Sequence, residues 1–99
     1  MPQKRIDGII EAVRYTPEGN IEFVRLHQRQ GNVWSDHILL TRPALIKRIE
    51  QGQRLYTGRR KTYLGNQIEA HQPVHLINGI IVSGQGNGQR DFLENTPLL

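Results

Sequence analysis

The sequence contains no cysteine, which excludes disulfide bonds and thiolate chemistry. Small secreted domains usually depend on disulfides, because a small core contributes little stability by itself. We therefore expect a cytoplasmic protein whose fold rests on its hydrophobic core.

Long apolar runs are also missing, and none approaches the roughly 18 residues of a transmembrane helix. The segment Met1–Arg5 is followed by Asp7 and Glu11 instead of the apolar centre of a signal peptide. These two absences predict a soluble chain with no membrane partner.

Acidic residues are outnumbered: nine Asp and Glu stand against thirteen Lys and Arg, a formal net charge of +4. Residues 1–83 hold twelve basic and seven acidic residues, whereas residues 84–99 hold one and two. A basic body attracts polyanions such as nucleic acid, anionic membrane surfaces or acidic proteins. The alternative is that the charge only keeps a small protein soluble.

The 99 residues suit one domain, because typical domains have roughly 100–150 residues. We expect that domain to cover residues 1–83, followed by a flexible C-terminal tail over residues 84–99. The tail begins with Gly84–Gln89, a glycine-rich linker. Its remaining apolar residues either fray in solvent, or dock back onto the domain or onto a second subunit.

Short apolar runs separated by turn residues predict strands, and Thr16–Asn20 and Asn78–Gly79 are the clearest turns. Residues 41–52 instead carry a proline in the first turn, an apolar stripe and a terminal glycine, which predicts a short helix. We expect a bulge or bend at Gly8 and another at Pro73. The predicted strands cover residues 5–15, 21–28, 33–40, 53–64, 67–77 and 80–83.

Three consecutive strands, a short helix and further strands resemble the element order of the OB-fold, a small antiparallel barrel. The spacing of glycines at positions 8, 19, 31, 52 and 58 agrees with this order. The resemblance covers about residues 4–77 and rests on spacing alone. We therefore expect an all-β fold with one short helix, a five- to six-stranded antiparallel OB-like barrel, with an SH3-like barrel as the alternative.

Resemblance to the OB-fold implies a ligand surface on the second and third strands, flanked by loops. Such proteins often bind single-stranded nucleic acid, with aromatic side chains stacking on bases and cations following phosphates. The residues of this sequence that match those roles are Arg25, Arg29, Trp34, Arg59, Arg60, Lys61 and Tyr63.

The last four of these residues belong to the densest basic run of the chain, from Arg54 to Lys61 and its flanking tyrosines. Side chains alternate between the two faces of a strand, so this run is divided between two faces unless Gly58 introduces a bulge. In a regular strand, one of the two faces combines charge with an aromatic ring, through Arg59, Lys61 and Tyr63. The alternative role of the run is an edge strand whose charges prevent aggregation.

No pattern in the sequence indicates catalysis, a metal site or a cofactor, so we expect a binding protein that is not an enzyme. His71 and His75 would stand about 13 Å apart on a strand and could not share an ion. His27 and His37 fit a cross-strand pair without a third ligand. The rival hypothesis is a protein-interaction or self-assembly module that uses a strand edge or the tail residues Phe92–Leu93 and Leu98–Leu99.

Overall fold

The structure is a computed structural model that describes residues 6–30, 33–60, 68–84, 90–94 and 96–99. The predicted class, mostly β with one short helix, is confirmed. No helix in the described ranges is long and apolar enough to cross a bilayer. The elements are β1 (Gly8–Tyr15), β2 (Ile21–Gln30), β3 (Val33–Thr41), α1 (Arg42–Glu50), β4 (Leu55–Arg60), β5 (Ile68–Ile77), β6 (Ile80–Ser83) and β7 (Phe92–Leu93).

β1, β2 and β3 form the predicted antiparallel meander. Register partners run from Gly8↔Gln28 to Tyr15↔Ile21 between β1 and β2, and from Phe23↔Thr41 to Gln30↔Val33 between β2 and β3. The turn between β1 and β2 contains Gly19, whose φ of +91° lies in the left-handed region that favours glycine. Turn chemistry thus accounts for the reversal between β1 and β2.

α1 carries the chain from β3 back across the sheet to β1. Both β1 and β3 run antiparallel to β2, and a helical crossover lets the next strand run in their direction. β4 pairs in parallel with β1, with Gly8↔Leu55 and Ile10↔Thr57 as register partners. The prediction of a purely antiparallel sheet is therefore wrong, because local turn signals do not reveal where a crossover ends.

β5 changes partner at Pro73, where a bend was expected. Residues up to Pro73 pair with β4, and residues from Val74 pair with β6. The turn between β5 and β6 has φ values of 52° at Asn78 and 79° at Gly79. Two positive φ angles are characteristic of the predicted type I′ hairpin.

In the part of the chain that the structure describes, the sheet has seven strands in the order β3-β2-β1-β4-β5-β6-β7. Within the described residues, β3 and β7 are edges and do not pair with each other, so the predicted closure into a barrel is not observed there. The strand beyond the predicted six is β7, which pairs in parallel with β6. α1 contacts β2, β3 and β5. Since β3 and β5 stand four places apart, the sheet bends around the helix.

The core lies between α1 and the inner face of this bent sheet. Leu45 is the buried residue of α1, which contacts the sheet on three strands. Because the helix has only nine residues, this burial has to stabilise it. The sheet residues of the core cluster are Ile10, Val13, Ile21, Val24, Leu26, Leu40, Leu55, Val74, Ile81 and Leu93.

The register of β1 shifts at Glu11, between Ile10 and Ala12, and not at the expected Gly8. Gly8 has a packing role instead, since a Cβ there would lie 2.9 Å from Leu55 Cδ2. Such a shift inserts an extra residue in one strand and alters where its side chain points. The position of Glu11 beside β2 follows from this irregularity.

The C-terminal segment packs against the sheet. Leu93 in β7 is buried, and Leu98 forms a parallel bridge with Val13 of β1. The Val13 N–H donates to the Pro97 carbonyl, and the Leu99 N–H donates to the Val13 carbonyl, each at 2.9 Å. These contacts match the alternative in which the tail docks back onto the domain.

Asp91 anchors this segment and is only 3% exposed. Its Oδ2 accepts hydrogen bonds from the Ile21 N–H and from Arg42 Nε, both at 2.7 Å. Its Oδ1 accepts from the Ile81 N–H at 2.9 Å and from Arg42 Nη2 at 3.1 Å. Arg42 Nη2 also donates to the Gly79 carbonyl at 2.6 Å. One carboxylate therefore joins β2, α1 and β6.

The surroundings of Asp91 hold the pKa of its carboxyl below the usual value of 3.8. Burial raises this pKa, but the hydrogen bonds from Arg42, Ile81 and Ile21 and the charge of Arg42 outweigh the burial. The hydrogen bond to Asp91 likewise raises the pKa of Arg42. The fold therefore favours the charged form of both partners.

We expect the stability that Asp91 contributes to disappear in acid. A carboxyl whose pKa is lower in the folded state stabilises fully above its unfolded pKa, near 3.8, and loses that contribution as the pH falls through its folded pKa. The difference in unfolding free energy between the wild type and Asp91→Asn should therefore be constant above about pH 5 and shrink below about pH 4. Urea unfolding at pH 7, 5, 4 and 3 measures it, and a difference that grows in acid would contradict the assignment.

Candidate functional site

The outer face of β2 and β3, opposite the core, carries the polar side chains of the expected ligand surface. Val24 and Leu26 of β2 point into the core. The residues that alternate with them point outward, because successive side chains of a strand face opposite sides. These outward residues of β2 are Phe23, Arg25, His27 and Arg29, and their register partners on β3 are Thr41, Leu39, His37 and Trp34.

Arg29 and Trp34 form a stacked pair at the end of this face. They are direct register partners across β2 and β3. The guanidinium carbon of Arg29 lies 5.8 Å from the centroid of the Trp34 ring, within the range of a cation–π interaction. Both residues are half-buried. The structure thus brings two of the predicted site residues into contact.

Arg25 belongs to a hydrogen-bonded cluster that spans three strands. Its Nη2 lies 3.3 Å from Glu11 Oε1, and Glu11 Oε2 lies 2.7 Å from His27 Nε2. His27 Nδ1 lies 3.0 Å from the carbonyl oxygen of Ser35, whose hydroxyl accepts from the Gln28 N–H. The bulge at Glu11 makes this cluster possible, since it brings a carboxylate from β1 beside two basic side chains of β2.

His27 has an oxygen facing each of its ring nitrogens. A carbonyl oxygen only accepts, so Nδ1 must carry a hydrogen that it donates to Ser35. Nε2 forms its contact with the Glu11 carboxyl group. His27 is 3% exposed, and its ring packs edge-on to His37 with centroids 6.0 Å apart. The predicted cross-strand pair of histidines is therefore present, and His27 organises the outer face.

The structure places Arg59 on β4, away from the β2–β3 face. β1 lies between β2 and β4, and Arg59 is a register partner of Glu69 on β5. Its Nε donates to Glu69 Oε2 at 3.3 Å on the exposed surface. Arg60 is a register partner of Ile68, and its side chain is not among those that the structure describes. Lys61 and Tyr63 lie outside the described residues.

The register of β4 against β5 shifts between Tyr56 and Gly58. The sequence analysis predicted that the basic run is divided between two faces of the strand unless Gly58 introduces a bulge. The side chains that would show whether the run joins one face, from Arg60 to Tyr63, are not among those described.

Carboxylates accompany several basic side chains of the sheet. Arg14 lies 3.4 Å from Glu22, as Arg25 lies near Glu11 and Arg59 near Glu69. Each of these pairs links neighbouring positions of adjacent strands or a bulge. The surface around these pairs is consequently less positive than the count of basic residues predicts.

The sequence analysis did not predict the roles of two acidic residues, Glu11 and Asp91. Glu11 sits at an irregularity, and an alternating pattern does not predict which neighbour a bulged side chain meets. A cross-strand register counted back from the turn at Thr16–Asn20 would have placed it near Arg25. Asp91 carried no signal, because its partners lie 10, 49 and 70 residues away in the chain.

Among the described residues, no three His, Asp or Glu side chains lie close enough together to hold a metal ion. His71 and His75 both belong to β5 with Pro73 between them, the strand setting in which we expected them not to share an ion. The absence of catalysis and of a cofactor stays a prediction.

Comparisons with protein-family models, with curated proteins and with solved structures found no match to this chain.

Proposed function

We propose that the protein binds single-stranded nucleic acid, RNA or DNA, on the outer face of β2 and β3. The observation that carries the proposal is the stack of the Arg29 guanidinium over the half-buried ring of Trp34. A base offers a flat π face to an aromatic side chain, and an adjacent cation interacts with its phosphate. Arg25 lies four residues before Arg29 on the same face of β2 and supplies a second guanidinium.

Fixed geometry supports this function. Arg29 and Trp34 occupy paired positions on two strands, and Arg25 is held by Glu11. Side chains that are ordered before binding lose less conformational entropy when a ligand arrives. The net charge of +4 favours association with a polyanion at low salt. We also propose that nucleic acid binds to four residues of the basic run, Arg59, Arg60, Lys61 and Tyr63.

We also propose that the fold is related to the OB-fold. A three-strand meander followed by a short helix supports it, and so does a helix that packs against β2, β3 and β5. The parallel pairing of β4 with β1 departs from the expected antiparallel barrel. The binding hypothesis depends on the β2–β3 face and not on barrel closure.

We expect Trp34→Ala to weaken binding of a labelled oligonucleotide by about 5- to 150-fold, since a stacked base contributes about 1–3 kcal/mol. Arg29→Ala should lower the slope of log affinity against log salt by about one. Fluorescence anisotropy at several salt concentrations measures both quantities. Phe92→Ala is the matched aromatic control, because Phe92 is exposed on the opposite edge strand, and Arg54→Ala is the control for charge.

The control variants should bind within about twofold of the wild type at moderate salt. Wild-type protein that fails to bind at low salt would overturn the proposal. Equal losses for Trp34→Ala and Phe92→Ala would place any binding on a different surface. Circular dichroism of each variant separates a loss of binding from a loss of fold.

A further inference from the structure

We infer that β3 is a docking edge for the β3 strand of a second copy of this chain, forming an antiparallel pair across a two-fold axis. β3 stands at one end of the sheet order, and within the described residues only β2 pairs with it. A strand at a sheet edge directs a row of backbone N–H and C=O groups away from the sheet. Another strand can satisfy these groups by continuing the sheet.

The half of β3 from His37 to Thr41 lacks the devices that usually protect an edge. Proteins block edge pairing with lysine, proline, bulges or very short strands. Residues 37–41 read His-Ile-Leu-Leu-Thr, without proline, glycine or a formally charged side chain. The register shift of β3 lies before His37, so residues 37–41 pair regularly with residues 23–27 of β2.

Large apolar side chains on this half of β3 are exposed. Leu39 is 62% exposed and Ile38 is 36% exposed. Neighbouring residues of a strand point to opposite faces, so both faces of the edge carry apolar surface. The other sheet edge, β7, has only two residues. Of the two edges, β3 is therefore the one suited to pairing.

The absence of formal charge on this half of β3 allows a second copy to be the partner. The chain carries a net charge of +4, so most of its basic surface repels a copy of itself. Residues 37–41 contain no Asp, Glu, Lys or Arg. An uncharged strand is compatible with itself in an antiparallel pair, because a two-fold axis brings like residues together.

A self-complementary register follows from the pattern of residues. With the two-fold axis at Leu39, Leu39 faces its counterpart in the second copy, Ile38 faces Leu40, and His37 faces Thr41. This register keeps outer-face residues opposite outer-face residues. Directly opposite side chains on paired strands have Cβ atoms about 4.5–5.5 Å apart, which is close enough for the leucines to pack.

The pair would also place two copies of the proposed binding surface side by side. A two-fold axis normal to the sheet leaves the outer faces of both copies on the same side. The dimer then displays two Arg29–Trp34 pairs on one continuous sheet. This consequence rests on the proposed nucleic-acid binding, whereas the pairing of β3 does not.

Sedimentation velocity over a concentration series, without nucleic acid, tests the pairing. We expect the wild type to pass from monomer to dimer as concentration rises into the micromolar range, since five paired residues form a small interface. Leu39→Lys should remain monomeric, because it places two ammonium groups opposite each other. The matched control is Ile77→Lys, an equal change at a residue that is 48% exposed on β5, and it should dimerise like the wild type.

A cross-link tests the register. Because the chain has no cysteine, Leu39→Cys introduces a single thiol, and directly opposite strand residues have Cα separations within the range of a disulfide. Mild oxidation should convert most of Leu39→Cys into a covalent dimer and much less of Ile77→Cys. A wild type that stays monomeric, a Leu39→Lys variant that still dimerises, or equal cross-linking of the two cysteine variants would each overturn the inference.

Discussion

Replacing Asp91 with alanine should destabilise the protein by about 3–5 kcal/mol, the usual effect of removing one partner from a buried ion pair. The carboxylate is almost inaccessible to solvent and receives four hydrogen bonds, two of them from Arg42. Its loss leaves Arg42 Nε and the backbone N–H groups of Ile21 and Ile81 without their acceptor, while Arg42 Nη2 keeps the Gly79 carbonyl. An unfolding free energy of roughly 5–15 kcal/mol is typical for a small domain, so the loss is a large fraction of the total.

Chemical denaturation followed by circular dichroism at pH 7 measures this effect. Glu18→Ala is the matched control, because Glu18 is an exposed acidic residue in the turn between β1 and β2. We expect it to change the unfolding free energy by no more than about 0.5 kcal/mol. If Asp91→Ala unfolds at the same denaturant concentration as Glu18→Ala, the C-terminal segment is not anchored as described and behaves as a flexible tail.

Gly58→Ala should destabilise the protein by about 3 kcal/mol, although alanine suits a strand better than glycine. A Cβ at this position would overlap the carbonyl oxygen of Glu69 on the paired strand β5. It would also lie 3.1 Å from Ile9 Cγ2 on the neighbouring strand β1. Backbone atoms cannot rotate away as a flexible side chain can, so β4 and β5 would have to separate locally.

Gly52→Ala provides the comparison for this substitution. Nothing lies within 4 Å of a Cβ at Gly52, but its φ of +88° is unfavourable for alanine. We expect a cost of about 1 kcal/mol there from the backbone conformation alone. A Gly58→Ala protein that is as stable as the wild type in urea would show that β4 and β5 do not approach as closely as the structure describes.

Local signals in the sequence predicted most elements well. The strand at residues 80–83 is found with the predicted bounds, and the helix predicted over 41–52 is found over Arg42–Glu50. Period-two alternation and turn residues such as Asn78 and Gly79 act within a few residues, so they can be recognised from the sequence alone. The proximity of Arg29 and Trp34 could also be predicted in part, since they lie near the adjoining ends of two consecutive strands.

Pairings between distant segments were not predictable from these signals. β4 was expected to run antiparallel to its neighbour, but the crossover through α1 delivers it parallel to β1. The candidate residue Arg59 therefore meets Glu69 and not the β2–β3 face. A sequence pattern states which residues can lie in a strand, but the order of strands depends on how the core packs.

The sequence by itself determined a cysteine-free, basic, mostly β chain with one short helix, because composition, alternation and turn chemistry are local properties. Only the tertiary structure decided that Glu11 bridges Arg25 and His27 and that Asp91 fastens the C-terminal segment to β2, α1 and β6. It also decided that β3 stands at one end of the sheet formed by the described strands. These features depend on groups brought together from distant parts of the chain, where burial strengthens hydrogen bonds and charges that would contribute little in water.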